Sequence, residues 1–357
     1  MSDFGKKITS SSLVSIIIDT FYRPKMLKNA VTHILEQTYK NIELIIVNNG
    51  ATKETIEYIE EVIKTDLRIK VVNFTENQFS WDDPHKLIRI CYNAGLENAR
   101  GDLVFYQSDD DWVNFDFIEK MVNLFQNNEK CTTAIGRVVN CLYNGKVLNM
   151  YDVKERPTYI NGYDLAIDYL KQEYKLVQPN PGHSFVIKRD LLLKYGGFQD
   201  TFETHQILGI VAFGETGFDE TALMYWGRSS EQQLNVKMNK LNFFWGKYFI
   251  QNLLDINYSL VVCWKNNFNI KDVILLEKYL NYIILSSYYR VLITDIFNFR
   301  KPNKLSKSEI IFLKKLKFDF NALTHAFIDF FKSTLIYKLF TLPLFIIHKH
   351  ITKHAFK

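Results

Sequence analysis

The sequence has few cysteines, few prolines and no long apolar run. Its 357 residues exclude a small disulfide-stapled scaffold, and its four cysteines form no C-x-x-C pair, which is typical of a reducing compartment. The longest apolar stretch, Leu339–Ile347, contains a threonine and a proline and is far shorter than the roughly 20 residues that span a bilayer. The first twelve residues lack the apolar core of a secretion signal. We therefore expect a cytoplasmic chain that does not cross the membrane.

Composition and charge indicate a large folded protein with a basic end. A hydrophobic fraction of 47% with 23% charged residues is enough to bury a large core and argues against intrinsic disorder. The net charge is +5, but residues 300–357 hold twelve Lys and Arg against three Asp and Glu. The preceding residues carry a slight acidic excess, which argues against a nucleic-acid binder. A basic terminal segment is more typical of contact with an anionic lipid surface.

Short apolar runs alternate with helix-type spacing over the first hundred residues. The runs are rich in β-branched residues and are bounded by polar ones, which predicts strands buried on both faces. Predicted strands are Leu13–Ile18, Ile42–Val47, Ile69–Phe74 and Leu103–Gln107, and predicted helices are Pro24–Thr38, Lys53–Lys64, Pro84–Ala99 and Asn114–Phe125. The alternation is typical of an α/β fold, a mostly parallel sheet flanked by helices.

Polar residues follow each of the four predicted strands. They are Asp19-Thr20, Asn48-Asn49-Gly50, Asn73–Trp81 and Ser108–Asp111. Ligands of doubly wound sheets bind at the carboxyl ends of the strands, so these residues are candidates for a site. The run of carboxylates Asp109-Asp110-Asp111 is costly through mutual repulsion unless a cation or solvent offsets it.

The remainder of the chain is less regular. Strand-like runs at Ala134–Leu142 and Ser184–Ile187 precede a short predicted helix, Arg189–Tyr195, which Gly196-Gly197 should end with a left-handed cap. After Leu241 the composition shifts towards Phe, Tyr, Ile, Leu, Asn and Lys, which predicts helices. We divide the chain into an α/β domain at 1–240 and a helical region at 241–357, with membrane association or oligomerisation as its alternative roles.

Several motifs in order resemble the family 2 glycosyltransferases of the GT-A fold. The resemblance covers roughly the first 240 residues, and no single motif carries it. The matching segments are Val14–Arg23, Leu35–Tyr39, Glu43–Gly50, Asn93–Asp102, Phe105–Trp112 and Gly196–Phe198. The resemblance implies transfer of a sugar from a nucleoside diphosphate donor, with Mg²⁺ or Mn²⁺ neutralising the leaving diphosphate.

The resemblance assigns the acidic run to the metal and the donor. It makes Asp110 the best metal ligand, with Asp109 on the donor ribose or the metal and Asp111 as a further metal ligand. The triple run leaves these roles exchangeable. The alternative is a solvated acidic turn that caps the following helix.

The family pattern places a catalytic base late in the α/β domain. Glu231 falls where the family has its carboxylate, although Ser230 replaces the acid that normally precedes it. An inverting transferase needs such a carboxylate to take the proton of the acceptor hydroxyl. Glu215, Asp219 and Glu220 lie upstream and remain alternatives, as does a glutamate on a helix surface.

Nucleoside contacts are predicted at the strand ends. The family often has an aspartate where this chain has Asn48, and an amide could serve uracil, thymine or cytosine. Asp19 and Thr20 are further candidates for the nucleoside, and Lys86, or Arg89 near it, for the phosphates. UDP-sugars are favoured as donors, with dTDP, GDP and CDP sugars as alternatives.

Other aromatic and basic residues admit two interpretations each. The tryptophans are candidates for stacking on sugars, with core packing as the alternative, and the four considered are Trp81, Trp112, Trp226 and Trp245. His183 lies on a loop near the expected acceptor, but a lone histidine is more often incidental. The basic C-terminal helices favour contact with a membrane near a lipid-linked acceptor, and the alternatives are a polar helical face or a dimer contact.

These observations predict a metal-dependent inverting glycosyltransferase that acts on a hydroxyl of a bacterial surface glycan, at the inner face of the cytoplasmic membrane. Two alternatives stay open. A nucleotidyltransferase would need a glycine-rich basic phosphate loop near the first strand, where Arg23 alone is a poor substitute. A noncatalytic glycan-binding or scaffold subunit would explain Asn48, Asn49 and Ser230, but not the intact acidic run.

Overall fold

Ten strands form one mixed sheet in the described part of the chain. The computed structural model describes residues 6–80, 86–150, 156–171, 173–176, 184–198, 208–228, 260–297, 322–324 and 326. The strands are β1 Val14–Thr20, β2 Ile42–Asn49, β3 Ile69–Phe74, β4 Leu103–Ser108, β5 Trp112–Val113, β6 Cys131–Leu142, β7 Val147–Met150, β8 Tyr159–Asn161, β9 Phe185–Lys188 and β10 Glu215–Arg228. The helices are α1 Pro24–Leu35, α2 Lys53–Val62, α3 Lys86–Asn98, α4 Phe117–Asn127, α5 Gly162–Lys171, α6 Arg189–Lys194 and α7 Ile270–Phe297.

The first four long strands are parallel, as the sequence predicts. Their order is β3-β2-β1-β4, and β1 pairs in register with β2 and β4 on its two sides. The helical spacing of α1 places its apolar residues on one face, where Leu27, Val31 and Ile34 are fully buried. These four strands therefore end at one edge of the sheet, which collects the polar residues that follow them.

Beyond β4 the sheet becomes mixed. Strand β9 runs antiparallel to both β4 and β6, whereas β10 runs parallel to β6 and antiparallel to β5. The long strand β10 thus reaches back to the short strand that follows the acidic run. This arrangement depends on pairing between distant residues, and local sequence does not reveal it.

The helix after the acidic run begins later than predicted. The pattern predicts a start at Asn114, but α4 begins at Phe117. Asn114 instead pairs with Leu223 of β10: its backbone N–H donates to the Leu223 carbonyl at 3.0 Å, and its side-chain oxygen accepts from the Leu223 N–H at 2.8 Å. Pairing with β10 overrides the helical periodicity at these residues.

The Gly-Gly cap predicted after α6 is confirmed. Gly196 and Gly197 have φ angles of +85° and +74°, in the left-handed region that glycine adopts without a steric penalty. Phe198 then pairs its backbone with the Asn93 side chain through two hydrogen bonds of 2.8 and 2.9 Å. Two of the segments that carry the family resemblance are therefore in contact.

The chain divides into two compact units. One comprises Met1–Lys237 with Leu260–Asn269, and the other comprises Met238–Ser259 with Ile270–Lys357. In the first unit the buried Trp264 donates its indole N–H to the Leu208 carbonyl at 3.0 Å, so a segment from beyond residue 241 helps to build it. In the second unit, Ile293 of α7 packs with Ala326.

None of the helices within the described residues combines the length and the apolar character that crossing a bilayer requires.

Candidate functional site

The acidic run lies at the carboxyl edge of the parallel strands. Asp109, Asp110 and Asp111 follow β4 directly and are all buried, with relative exposures of 1%, 7% and 1%. The turn is closed by the Asp111 N–H, which donates to the Ser108 carbonyl at 3.2 Å. A solvated acidic turn would be exposed, so the burial argues against that alternative.

Residues from the β1 end contact the carboxylates. The Thr20 hydroxyl donates to Asp109 Oδ2 at 2.7 Å. Arg23, which directly precedes α1, donates from Nη1 to Asp110 Oδ2 at 2.6 Å and from Nη2 to Asp109 Oδ1. The side chain of Arg23 is only 16% exposed. The structure therefore adds Arg23 to the site. The sequence had drawn attention to Arg23 only as a poor substitute for a phosphate-binding loop.

Asp111 differs from its two neighbours in what it contacts. Its Oδ1 accepts the backbone N–H of Gly227, in β10, at 3.0 Å. A Cβ atom at position 227 would overlap the carbonyl oxygen of Asp110, so only glycine allows β10 to approach the turn so closely. We infer that Asp111 anchors β10 to the acidic turn, whereas Asp109 and Asp110 face the guanidinium.

The electrostatics of the site favour binding of a cation. Burial raises the pKa of Asp109 to about 7, and Arg23 only partly opposes this effect. Burial likewise raises the pKa of Asp111 well above its ordinary value and that of Asp19 to about 6. The carboxylates repel one another in addition, which favours a cation that would stabilise their charged forms.

Tyr92 of α3 is a further residue that the sequence pattern did not single out. Its buried hydroxyl hydrogen-bonds with the side chains of Asp19 and Ser108, which are partners in the β1–β4 register. Its ring lies 5.1 Å from that of Tyr106 and 5.4 Å from that of Phe198. Tyr92 thus links the ends of two strands beneath the acidic turn.

Two side-chain amides, those of Asn48 and Asn49, lie at the end of β2. Asn48 donates from Nδ2 to Asn73 Oδ1 at 2.9 Å and accepts the Ala51 N–H on Oδ1 at 2.8 Å. Asn49 Oδ1 accepts the N–H of Gln78 at 2.8 Å. Both side chains therefore hold the turns after β2 and β3 together. Donor binding by Asn48 stays a prediction, and both polar atoms of its amide already have protein partners.

The upstream alternatives to the base lie away from the acidic turn. Glu215 is the first residue of β10, at the opposite end of the strand from Gly227, and accepts a hydrogen bond from Asn128 at 2.6 Å. Asp219 accepts from the hydroxyl of Thr221 at 2.7 Å beside a bulge in β10, and Glu220 is exposed next to it. The structure does not bring these three residues to Asp109 and Asp110. Glu231 lies outside the described residues.

The other predicted side chains are either exposed, packed in the core or outside the described residues. Lys86 and Arg89 are exposed on α3. Trp112 is buried, with its ring stacked 5.4 Å from that of Tyr225, and Trp226 packs against the core, as the core-packing interpretation predicts. Three further candidates, Trp81, His183 and Trp245, lie outside the described residues.

The residues present fit a divalent cation that is shared with a bound donor. Among the described residues, no group of three or more His, Cys, Asp and Glu side chains is arranged to hold a metal ion. Asp109 and Asp110 nevertheless aim one oxygen each at a single cationic group, the Arg23 guanidinium. Mg²⁺ is typically held by one or two carboxylates together with substrate phosphates, so this pair provides what the protein must supply.

Comparison with known proteins decides the family. The family described as glycosyl transferase family 2 matches residues 15–196, a little over half of the chain. The chain belongs to glycosyl transferase family 2. The matched range runs from the second residue of β1 to the end of α6 and includes the whole acidic turn, so the resemblance found in the sequence motifs is confirmed.

Two curated relatives are named as glycosyltransferases. An uncharacterized glycosyltransferase of Haemophilus influenzae is 29% identical over 148 residues, which cover 42% of this chain and 56% of that protein. Glycosyltransferase GlyG of Streptococcus pneumoniae is 28% identical over 160 residues, which cover 45% of this chain and 48% of that protein. The chain thus spans about half the length of these relatives.

Solved structures of S. aureus TarS share the fold. TarS 1-349 in complex with UDP-GlcNAc matches with a TM-score of 0.55 and 15% identity, over 89% of this chain and 80% of that chain. The complex with UDP matches with a TM-score of 0.52 over 78% and 71%. At this identity the likeness shows the fold alone, and the predicted GT-A fold is confirmed.

Proposed function

We propose that this protein transfers a glycosyl group from a nucleoside diphosphate sugar to a hydroxyl of a glycan acceptor, with a divalent cation at Asp109 and Asp110. The observation that carries the proposal is the buried carboxylate pair at the carboxyl edge of the parallel strands, inside the range that matches the family. Ligands of open α/β sheets bind at this edge.

Four side chains of the site have a proposed part in donor binding, and Thr20 orients one of them. Asp109 and Asp110 would hold Mg²⁺ or Mn²⁺ against the diphosphate, and Thr20 fixes the orientation of Asp109 through its 2.7 Å hydrogen bond. The cation, when bound, supplies positive charge that neutralises the leaving diphosphate. The side chains of Asp19 and Asn48 stand at neighbouring strand ends, which favours them for the nucleoside side of the donor.

The proposed transfer inverts the anomeric centre. The acceptor hydroxyl oxygen forms a bond to the anomeric carbon while the bond from that carbon to the diphosphate oxygen breaks. The hydroxyl proton passes to the carboxylate of Glu231, and the nucleoside diphosphate leaves with the electron pair of the broken bond. Glu231 is proposed from the family pattern, and the location of the three upstream carboxylates away from the acidic turn favours it over them.

We propose a UDP-sugar as the donor and a bacterial surface polysaccharide as the pathway product. The first proposal is supported by TarS, whose structures contain UDP and UDP-GlcNAc. The acceptor would be a glycan or a lipid-linked precursor, reached at the inner face of the cytoplasmic membrane through the basic C-terminal region. The excess of Lys and Arg in residues 300–357 supports such a contact with anionic lipid.

The test is hydrolysis and transfer with a panel of UDP, dTDP, GDP and CDP sugars, in Mn²⁺ or in EDTA. We expect slow release of one nucleotide that requires Mn²⁺, is lost in Asp110→Asn and persists in the surface control Glu57→Gln. With an acceptor present, Glu231→Gln should abolish transfer, whereas Glu220→Gln should not. If no donor is bound or turned over under any condition, the scaffold alternative replaces this proposal.

A further inference from the structure

Arg23 occupies the position between the two carboxylates that the proposed cation needs. Its two terminal nitrogens donate to different carboxylates, Nη1 to Asp110 Oδ2 at 2.6 Å and Nη2 to Asp109 Oδ1. The three side chains are 16%, 9% and 1% exposed for Arg23, Asp110 and Asp109. This is a buried ion pair of one guanidinium with two carboxylates, not a surface salt bridge.

The oxygens that contact Arg23 are those a cation would use. The other oxygen of Asp109 accepts the Thr20 hydroxyl, so Oδ1 is the one that faces the site. A Mg²⁺ ion binds about 2.0–2.1 Å from its oxygen ligands, closer than the guanidinium nitrogens lie to these two oxygens. The cation would therefore need the side of each oxygen that Arg23 now contacts. The guanidinium and a divalent cation on these oxygens would also repel each other at short range.

The backbone of Arg23 is fixed, so only its side chain has to move. Arg23 directly precedes Pro24, the first residue of α1, and its carbonyl accepts the Leu27 N–H at 2.9 Å. The guanidinium carbon already lies 5.7 Å from the centre of the Tyr22 ring. Rotation of the side chain therefore frees the carboxylates without unwinding the helix.

We propose that Arg23 and a divalent cation compete for Asp109 and Asp110. Arg23 partly balances the charge of the carboxylates while the cation is absent and is displaced when the cation binds. The displaced guanidinium then lies beside the diphosphate, and arginine binds phosphate oxygens in a bidentate manner. The inference rests on the proposed function for the identity of the donor, but the competition itself is a property of the free protein.

The consequence is a linkage between cation and donor. Donor phosphates would accept the guanidinium that the cation displaces, so each ligand should raise the affinity of the other. Without Arg23 the cation should bind more tightly to the free protein, and the donor should add less to its affinity. Arg23 is thus a positioning residue that couples the two ligands.

The test is a titration of the full chain with Mn²⁺, in which the electron paramagnetic resonance signal of free Mn²⁺ measures how much is bound. In the absence of donor, Arg23→Met should bind Mn²⁺ at least about tenfold more tightly than the wild type, because a competing buried charge is gone. Arg23→Lys should lie between them, since it keeps the charge but loses the fork. Asp110→Asn should lose binding, and Lys25→Met, which removes an exposed charge two residues away, should match the wild type within about twofold.

The linkage is tested by repeating the titration with saturating UDP. UDP should tighten Mn²⁺ binding by the wild type more than by Arg23→Met. Unchanged Mn²⁺ affinity in Arg23→Met would overturn the proposal, and so would loss of binding in that variant. If Arg23→Met is poorly folded, the affinity of Arg23→Lys decides in the same way.

The outcome is independent of whether a sugar is transferred. Competition without turnover of any donor would leave this inference standing and remove the proposed function. Turnover with unchanged Mn²⁺ affinity in the Arg23 variants would do the reverse.

Discussion

Two buried groups of charged residues lie at opposite ends of the same parallel strands, and they differ in how their charges are balanced. At the amino ends, Glu43 of β2 accepts hydrogen bonds from Ser15 at 2.7 Å and Lys70 at 2.8 Å. The Arg100 backbone N–H adds another at 2.6 Å, and the Arg100 side chain a further one at 3.2 Å. At the carboxyl ends, Asp109 and Asp110 share one arginine.

The pKa values follow this difference in balance. Burial by itself would raise the pKa of Glu43, but its hydrogen bonds with Lys70, Arg100 and Ser15 lower it to about 2. At the other end, burial raises the pKa of Asp109 to about 7 despite Arg23. A carboxylate whose charge is balanced by several donors stabilises the fold, whereas one whose charge is only partly balanced is available to a ligand. The comparison therefore separates a carboxylate that is balanced within the fold from one that we propose to bind a ligand.

The largest effect should come from the carboxyl ends of the strands, where the charges of Asp109 and Asp110 are only partly balanced. Asp110→Asn should reduce kcat/KM for sugar transfer by about 100-fold or more, because it removes half of the cation's protein ligands. Its unfolding free energy should change little, since the substitution also relieves repulsion with Asp109. The measurement is steady-state kinetics alongside urea unfolding, with Glu57→Gln as the matched surface control. A large loss of stability with normal turnover would contradict the comparison.

Gly227→Ala should show that the acidic turn is held by backbone contact. The added methyl would overlap the Asp110 carbonyl and push β10 away, at a cost of about 2–3 kcal/mol in unfolding free energy. Urea denaturation measures it. Gly145→Ala is the comparison variant, because a Cβ there meets nothing within 4 Å, whereas Gly145 has a φ of +85° and Gly227 is outside the left-handed region. Equal losses in the two variants would mean that the close approach at Gly227 costs no more than the left-handed backbone strain at Gly145.

Glu43→Gln should affect stability and leave transfer by the folded enzyme unchanged. It should lower the unfolding free energy by about 2 kcal/mol at pH 7, because Lys70 loses its charged partner and Glu43 is buried. Urea unfolding at a series of pH values measures the difference between the two proteins.

The pH dependence of that difference has a defined sign. The folded pKa of Glu43, about 2, lies below its ordinary value of 4.5. Its contribution is therefore fully present above pH 4.5 and is lost as the pH falls towards 2. The difference in unfolding free energy between the wild type and Glu43→Gln should therefore disappear as the pH falls from 4.5 to 2. A gap that stays constant down to pH 2 would show that the charge of Glu43 is not what stabilises the strands.

The smallest effects should come from the amides after β2. Asn48→Ala should cost about 1–2 kcal/mol, because it leaves the Ala51 N–H and Asn73 without their partner. Asn48→Asp keeps the acceptor for Ala51 and should cost less than about 1 kcal/mol, provided the Asn73 amide turns to donate. Thermal unfolding compares the two variants. If Asn48→Asp loses more stability than Asn48→Ala, the hydrogen bond with Asn73 contributes more than the one with the Ala51 N–H.

Local sequence predicted the regular elements of the first unit well. The predicted strand at 69–74 coincides with β3, and β1, β2 and β4 extend one or two residues beyond the predicted ends towards the site. Buried parallel strands and amphipathic helices have periodicities that short segments already display. The start of α4 was misplaced because its first predicted residue pairs with β10, 109 residues away.

The acidic run and its place after a buried strand were readable from the sequence, because three adjacent carboxylates are conspicuous wherever the chain folds. The partners of the run were not. Arg23 lies 86 residues before Asp109, and Gly227 lies 116 residues after Asp111, so neither contact has a local signal. Tyr92 sits on a helix face whose orientation depends on the packing of α3 against β1.

The sequence by itself determined the α/β alternation, the family and the location of the acidic turn, since these depend on hydrophobic periodicity and on ordered local motifs. Only the tertiary structure decided which charges are balanced. Burial and distance set the pKa of a carboxylate, and both arise from contacts between segments that are remote in the chain. For that reason Glu43 and Asp109 are both acidic residues at the ends of buried strands, yet Glu43 is balanced by Lys70 and Arg100 within the fold, and Asp109 is the one that we propose to bind a ligand.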